Sequence, residues 1–169
     1  MHAMKSGRLF DNTLILFISD HGDMMGDHHL WRKTYAYEGS AHIPFIVTLP
    51  KTMRDAVNTH VDAPICLQDV MPTILDVCGV DTPDSVDGKS VLPLIRGSST
   101  TWREFVHGEH CACYHADNAM QYLTDGKWKY VWFSQTNAEQ LFHLETDRYE
   151  NRDLSGDEYY SDVLAAWRE

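Results

Sequence analysis

The sequence predicts an α/β chain whose second half is a small antiparallel sheet followed by a C-terminal helix. A continuous apolar run at 14–19 has the length and composition of a strand buried on both faces, as in a parallel sheet covered by helices. Asp125-Gly126 lies between two runs of apolar and aromatic residues, which is a strong signal for a β-hairpin. A helical pattern over 157–167 closes the chain. We therefore expect an α/β region at residues 1–100 and a small antiparallel α+β region at residues 101–169.

The first region contains three further predicted elements. Residues 20–42 are polar and aromatic and are interrupted by glycines, which predicts a long loop with one helical turn. A loop of this length in a compact domain usually carries function. Prolines bracket a second predicted strand at 44–50. A helix is expected over 63–77, with Gly79 as its stop signal and Pro72 either at a break or in the first turn.

The second region contains the strands of the antiparallel sheet. We expect these strands at 105–108, 120–124, 129–133 and 140–144. The aromatic residues around the third strand alternate, so half of them should pack in the core and half should face outward. They are Trp128, Tyr130, Trp132 and Phe133.

The composition excludes several classes of protein. The chain has 169 residues, of which 43 % are hydrophobic, so it can bury a core and is not a disordered chain. Its 14 Lys and Arg against 25 Asp and Glu give a net charge of −11, which argues against binding to nucleic acid or to anionic membranes. No apolar run of about 18 residues is present to span a bilayer. We therefore expect neither a nucleic acid nor a membrane as a partner.

Two features of the sequence bear on its compartment. The N-terminus lacks the apolar core of a signal peptide, and the four cysteines show no spacing typical of a disulfide framework. These features predict a cytoplasmic chain with reduced thiols, taking the chain as it stands. A periplasmic or secreted location stays open for an intact protein whose signal peptide would lie upstream.

The residues that carry chemistry follow the first predicted strand. Asp20 offers a hard carboxylate oxygen and His21 a ring nitrogen, which together suit a divalent cation, and Gly22 allows a sharp turn after them. Lys33 lies on the same loop and is a mobile cation that can reach an anionic ligand. A cation and a lysine together can neutralise an oxyanion. The alternative is structural: Asp20 would cap a turn, and His21 would be an ordinary, hydrogen-bonded histidine.

The order of motifs along the chain resembles the sulfatase family, which belongs to the alkaline-phosphatase-like superfamily. The resemblance implies the C-terminal part of an alkaline-phosphatase-like α/β sandwich and the hydrolysis of a sulfuric ester. It covers nearly the whole chain in order. The segments that carry it are Asp11-Asn12-Thr13, Ser19-Asp20-His21-Gly22-Asp23-Met24, Gly26-Asp27-His28, Leu30-Trp31 with Lys33, Tyr37-Glu38-Gly39-Ser40-Ala41, Ile43-Pro44, 69–76, 87–94 and 140–147.

The resemblance assigns roles to five residues. Asp20 and His21 match two ligands of the divalent cation of the family, usually Ca²⁺, and Lys33 matches the lysine that contacts the sulfate group. His28 and His110 match histidines that line the substrate cleft, so the implied partner is a sulfated small molecule or sugar. Lys33 and His110 are the catalytic candidates, although a buried, hydrogen-bonded histidine remains an equal alternative for His110. The stretch 107–115 is dense in His and Cys, but its spacing matches no common structural zinc pattern.

The chain departs from the family pattern in its missing motifs. It contains no Cys/Ser-x-Pro-x-Arg sequence, from which the formylglycine nucleophile of the family is made, and no paired aspartates of an N-terminal metal motif. We therefore expect the chain alone to be inactive, and its status as an enzyme stays open. The alternatives are a phosphonate or phosphate ester hydrolase of the same superfamily and a truncated, non-catalytic binding module. Self-association, or pairing with a missing N-terminal half, is the expected protein contact.

Overall fold

A computed structural model describes residues 6–7, 9–54, 60–98 and 101–169. In chain order its strands and helices are β1 (Ile15–Ile18), α1 (Glu38–Ala41), β2 (Phe45–Thr48), α2 (Val70–Val77), α3 (Leu92–Ile95), β3 (Val106–His110), β4 (Met120–Thr124), β5 (Trp128–Phe133), β6 (Ala138–His143) and α4 (Ser161–Arg168). Short 3-10 turns lie at Phe10–Asn12, Asp27–His29, Lys51–Met53, Leu67–Asp69, Ala116–Asn118 and Glu158–Tyr160. The mixed α/β class, with an antiparallel sheet and a C-terminal helix, is confirmed.

The chain divides into two compact units that are not continuous in sequence. The first unit consists of Met1–Ser19 and Pro44–Trp102, and the second consists of Asp20–Ile43 and Arg103–Glu169. The long loop after β1 is thus grouped with the C-terminal sheet. The expected domain boundary, with one region at residues 1–100 and another at residues 101–169, stays a prediction.

The first strand pair differs from the expectation of a parallel, fully buried strand. β1 pairs with β2 in antiparallel register, with Phe17 opposite Ile46. Both of these side chains are largely exposed, Phe17 by 62 % and Ile46 by 58 %. Burial on both faces is therefore wrong for this strand within the described residues. An apolar run fits either direction of pairing, because the direction depends on the partner strand rather than on the run itself.

The helix after the second strand begins later than predicted. A 3-10 turn at Leu67–Asp69 precedes α2, and Pro72 lies in the first turn of α2, where its missing N–H leaves no bond unmade. Gly79 has φ +69° and follows the end of the helix as predicted. The buried Asp69 carboxylate accepts hydrogen bonds from the amides of Cys66 at 2.9 Å and Lys89 at 2.8 Å, which ties the linker after α2 back to its start.

The second unit is built on a four-stranded antiparallel sheet in the order β3-β4-β5-β6. The predicted hairpin at Asp125-Gly126 joins β4 to β5. The Asp125 carboxylate accepts hydrogen bonds from the amides of Lys127 at 2.8 Å and Trp128 at 2.7 Å, and Gly126 adopts φ +90°. The bonds within the turn therefore help to fix the register of this pair.

Both faces of this sheet are covered. One face carries the buried residues Met120, Val131, Phe142 and Leu144. Ala36 packs against them from residues 20–43, which we call the loop segment. The other face carries Leu141, which packs with Leu154 and with Leu164 of α4. The aromatic residues of β5 pack against both clusters, Trp128 and Tyr130 against the second and Phe133 against the first. Tyr159, in the 3-10 turn before α4, is 84 % exposed.

No helix among the described residues has both the length and the apolar composition needed to cross a membrane.

Candidate functional site

The loop segment that carries the predicted site has an unusual backbone. Five residues other than glycine have positive φ within ten positions: Met25, His28, His29, Arg32 and Thr34, with angles from 49° to 90°. A left-handed conformation costs about 1–3 kcal/mol for such a residue, and a β-branched residue such as Thr34 tolerates it least. The shape of this segment is therefore held by contacts rather than by local preference.

Hydrogen bonds fold the start of this segment into a compact loop. The Asp23 carboxylate accepts from the amides of Met25 at 2.9 Å and Arg32 at 3.1 Å. The amide of Met24 donates to the Arg32 carbonyl at 2.8 Å, and the Met24 side chain is only 1 % exposed. The Gly22 amide donates to the Ser40 carbonyl at 2.8 Å. These bonds bring the residues that follow Asp20-His21 against α1.

Gly22 is held so closely that a side chain does not fit. A Cβ atom added there would lie 2.1 Å from the carbonyl oxygen of Gly39. We expect Gly22→Ala to lower the free energy of unfolding by about 1–3 kcal/mol, the usual cost of an overpacked site, because a backbone atom must move. Urea denaturation measures this. Gly156→Ala is the matched control, since nothing lies within 4 Å of its added Cβ, and an equal effect in both variants would contradict the prediction.

Asp20, His21 and Lys33 form an electrostatic group. The nearest side-chain atoms of Asp20 (Oδ2) and His21 (Nε2) are 3.5 Å apart, and the Asp20 side chain is 81 % exposed. A hydrogen bond from its own backbone amide, followed by the charges of His21 and Lys33, lowers the pKa of Asp20. The other ring nitrogen of His21, Nδ1, lies 2.6 Å from the Gly22 carbonyl oxygen, which it can reach as a donor. This leaves Nε2 as the unprotonated, ligand-type nitrogen when the ring is neutral.

The two other predicted site residues contact different parts of the chain. His28 Nε2 lies 2.9 Å from the carbonyl oxygen of Tyr149, and its ring stacks on Tyr37 with a centroid distance of 4.2 Å. His110 ends β3, is half-buried, and forms a short hydrogen bond from Nδ1 to the carbonyl oxygen of Cys111. Their roles in substrate contact stay predictions.

The donor chemistry of Asp20 and His21 fits a divalent cation only in part. An exposed, ionised carboxylate and a neutral imidazole nitrogen are suitable ligands. However, Ca²⁺ takes about 6–8 oxygen ligands, and within the described ranges no three His, Cys, Asp or Glu side chains are grouped to hold a metal ion. Asp20 and His21 can thus supply two ligands to a metal site, and the described residues do not group a third side chain with them.

A buried ion cluster links the loop segment to the sheet. Lys129 of β5 has a side chain that is 1 % exposed, and its ammonium donates to the Ala36 carbonyl at 2.7 Å, to Glu38 at 2.7 Å and to Glu150 at 2.8 Å. The second oxygen of Glu150 accepts from the Glu38 amide at 2.6 Å. We call Lys129, Glu38, Glu150 and the Ala36 carbonyl the Lys129 cluster. All three ammonium hydrogens have acceptors, which is the condition under which a buried charge is tolerated.

The pKa values of the two carboxylates in the cluster are shifted in opposite directions. Burial alone would raise the pKa of Glu38, but a hydrogen bond from His42 and the charge of Lys129 outweigh it and lower the pKa to about 2. Burial raises the pKa of Glu150, which Lys129 offsets only in part. The hydrogen bond to Glu38 raises the pKa of His42. Glu38 is therefore the carboxylate held firmly ionised, because it has two cationic partners.

These pKa shifts predict that the free energy of unfolding is greatest at intermediate pH and falls on both the acid and the alkaline side. The Glu38 contribution is present above its unfolded pKa of 4.5 and is lost as the pH falls toward 2. The His42 contribution is present below its unfolded pKa of 6.5 and is lost as the pH rises through the raised value. We expect His42→Gln to flatten the alkaline fall and to reduce the acid fall without abolishing it, because Lys129 still lowers the pKa of Glu38. Thermal unfolding at a series of pH values measures both limbs. An unchanged alkaline limb in the variant would contradict this assignment.

The Lys129 cluster was not among the sites predicted from the sequence. One signal was available, since Lys129 stands between Trp128 and Tyr130 in a strand that is otherwise apolar and aromatic. A lysine at such a position is almost never fully buried without a charged partner. The partners, Glu38 and Glu150, are too distant along the chain to be paired with it from one sequence.

Comparisons with known proteins agree with this architecture. Residues 26–169 match the model of the family described as N-sulphoglucosamine sulphohydrolase, C-terminal. Arylsulfatase of Clostridium perfringens (strain 13 / Type A) is 42 % identical over 155 residues, which are 91 % of this chain and 32 % of that protein. This chain therefore spans about a third of the length of that relative.

Two solved structures share the fold. Phosphonate monoester hydrolase of Agrobacterium radiobacter is 25 % identical with a TM-score of 0.81, covering 99 % of this chain and 36 % of that one. A protein in complex with its substrate D-glucosamine-2-N,6-O-disulfate is 21 % identical with a TM-score of 0.81, covering 99 % of this chain and 35 % of that one. At that identity the second likeness concerns the fold alone.

Proposed function

Since this chain belongs to the sulfatase family and corresponds to its C-terminal portion, we propose that it supplies part of the active site of a sulfuric ester hydrolase. The observation that carries the proposal is the group formed by Asp20, His21 and Lys33 on one loop. It combines two metal-type donors with a lysine whose positive charge reaches Asp20.

Each residue of the group has a distinct role in this proposal. Asp20 and His21 donate an oxygen and a nitrogen to a divalent cation, for which we propose Ca²⁺. Such a cation supplies positive charge beside the oxygens of a sulfate group. Lys33 is exposed and unbranched, so its ammonium can approach a sulfate oxygen and balance the negative charge that grows on it during ester cleavage.

The two histidines act on the substrate rather than on the metal in this proposal. His110, at the end of β3, contacts the substrate and is the second catalytic candidate after Lys33. His28 also contacts the substrate, and the Tyr37 stack and the Tyr149 carbonyl fix its ring orientation. The nucleophile and the remaining metal ligands come from residues outside these 169, because the chain has no Cys/Ser-x-Pro-x-Arg sequence.

The proposed substrate is a sulfated small molecule or sugar. The 42 % identity to an arylsulfatase supports the sulfate ester as the reacting group. A phosphonate or phosphate ester is the second candidate, because a phosphonate monoester hydrolase shares the fold at 25 % identity. The higher identity of the arylsulfatase favours the sulfate.

The protein surface around the first strand pair supports contact with further protein. Phe17 and Ile46 lie opposite each other across β1 and β2 and are both exposed, and exposed apolar strand residues usually mark a contact surface. We propose that this surface is covered by self-association or by an N-terminal portion of the enzyme outside these 169 residues. Light scattering on the 169-residue chain tests the first alternative, and a monodisperse monomer would exclude it.

The substrate class is tested by a panel of esters. The full reading frame that contains this chain is expressed and assayed with 4-nitrophenyl sulfate, 4-nitrophenyl phosphate and a phenylphosphonate monoester. We expect the highest kcat/KM for the sulfate ester. A higher value for the phosphonate would establish the second candidate, and no turnover of any ester would favour a non-catalytic binding module.

A further inference from the structure

The Lys129 cluster joins parts of the chain that are far apart in sequence. Ala36 and Glu38 belong to the loop segment 20–43, Lys129 lies in the centre of the sheet, and Glu150 follows β6. The ammonium and the Glu150 carboxylate are almost completely buried, with side chains 1 % and 2 % exposed. A buried pair with every donor satisfied is directional, so it specifies one arrangement of the loop on the sheet.

The loop segment needs such an external constraint. Its five non-glycine residues with positive φ end at Thr34, two residues before the carbonyl that Lys129 binds. Strained backbone of this kind persists only where the surrounding structure over-determines it. Glu150 is itself at φ +55°, so the acceptor side of the cluster is held in a strained conformation as well.

We propose that Lys129, Glu38 and Glu150 are positioning residues that hold the segment 20–43 in its strained shape on the sheet. They act through the backbone of Ala36, which precedes α1, and of Glu38, which begins α1. The segment carries Asp20, His21 and Lys33, so the cluster also sets where these side chains stand. That last step rests on the proposed function, whereas the hold on the segment does not.

The hold on the segment is tested by amide hydrogen exchange in Lys129→Met. Methionine keeps the unbranched apolar part of the side chain and removes the ammonium. We expect exchange at the amides of Gly22, Met24 and Gly26 to accelerate at least about tenfold, while the Leu154 amide, which bonds to Leu141 at 2.9 Å, keeps its protection. Lys127→Met is the matched control, because that lysine is 64 % exposed and pairs loosely with Glu145.

A second variant covers the case in which Lys129→Met does not fold. Glu150→Gln keeps the shape of the side chain and leaves Lys129 and Glu38 as a balanced pair, so no buried charge loses its partner. Glutamine has one acceptor oxygen in place of two, so it cannot accept from both Lys129 and the Glu38 amide through separate oxygens. We expect the same local acceleration in a milder form, with Glu145→Gln as the exposed control. Uniform acceleration across the chain, or none in the segment, overturns the proposal.

An activity measurement separates this inference from the proposed function. In the protein from the full reading frame we expect Glu150→Gln to lower kcat for 4-nitrophenyl sulfate at least about tenfold, since small displacements of catalytic groups are costly, and Glu145→Gln to leave it unchanged. Faster exchange with an unchanged kcat would contradict the statement that the cluster positions Asp20, His21 and Lys33. A wild-type protein that is inactive on sulfate esters would instead contradict the proposed function, and the exchange result would still decide the hold on the segment.

Discussion

Lys33→Ala is expected to lower kcat/KM for a sulfate ester by about 10²–10³-fold, the usual loss when one group that stabilises a developing oxyanion is removed. Lys33 is exposed and belongs to a loop whose shape is set by backbone bonds and by the Lys129 cluster, so its removal should leave the fold intact. The loss should appear in kcat more than in KM if the ammonium contacts the sulfate most strongly in the transition state. Steady-state kinetics of the protein from the full reading frame measure both constants.

Two further variants give this experiment its controls. Lys51→Ala removes an exposed lysine from a 3-10 turn in the first unit and should leave kcat/KM unchanged. Lys33→Arg keeps the charge with a different shape and should recover part of the activity. An alanine variant as active as the wild type would show that Lys33 does not contact the sulfate group.

Phe142→Ala is expected to lower the free energy of unfolding by about 3–5 kcal/mol, the typical cost of removing a buried phenylalanine. Phe142 is 1 % exposed and packs with Met120, Val131 and Leu144 on the face of the sheet that the loop segment covers. Its removal leaves a cavity beneath Ala36 and Tyr37, so the loop should lose order along with the sheet. Urea denaturation of the chain gives the free energy.

Phe105→Ala removes the same side chain from a surface position. Phe105 is 50 % exposed and immediately precedes β3, so we expect a change within about 0.5 kcal/mol, as for most surface substitutions. The difference between the two variants isolates the contribution of burial. Similar losses in both would contradict the placement of Phe142 in the core.

The elements that could be predicted from the sequence are those determined by local chemistry. The hairpin at Asp125-Gly126 depends on one carboxylate and one glycine within the turn, so neighbouring residues suffice to specify it. The helix before Gly79 ends as predicted for the same reason. The grouping of Asp20, His21 and Lys33 was also accessible, because all three lie within one loop.

The features that the sequence did not reveal depend on distant partners. The direction of β1 is decided by β2, about thirty residues later, and the apolar run carries no information about it. Lys129 becomes a buried cation only because Glu38 and Glu150 converge on it from separations of 91 and 21 residues. The strained loop likewise contradicts local preference, because tertiary contacts impose its backbone.

The central claim, that Asp20 ligates a divalent cation in a sulfatase site, is tested most directly by the cation dependence of activity. The protein from the full reading frame is stripped with a chelator, and 4-nitrophenyl sulfate hydrolysis is followed as Ca²⁺ or another divalent cation is restored. We expect Asp20→Asn to raise the cation concentration for half-maximal activity at least about tenfold, because an anionic ligand is lost, and Asp84→Asn, an exposed carboxylate in the first unit, to leave it unchanged. An Asp20→Asn protein with the cation dependence and activity of the wild type would contradict the claim.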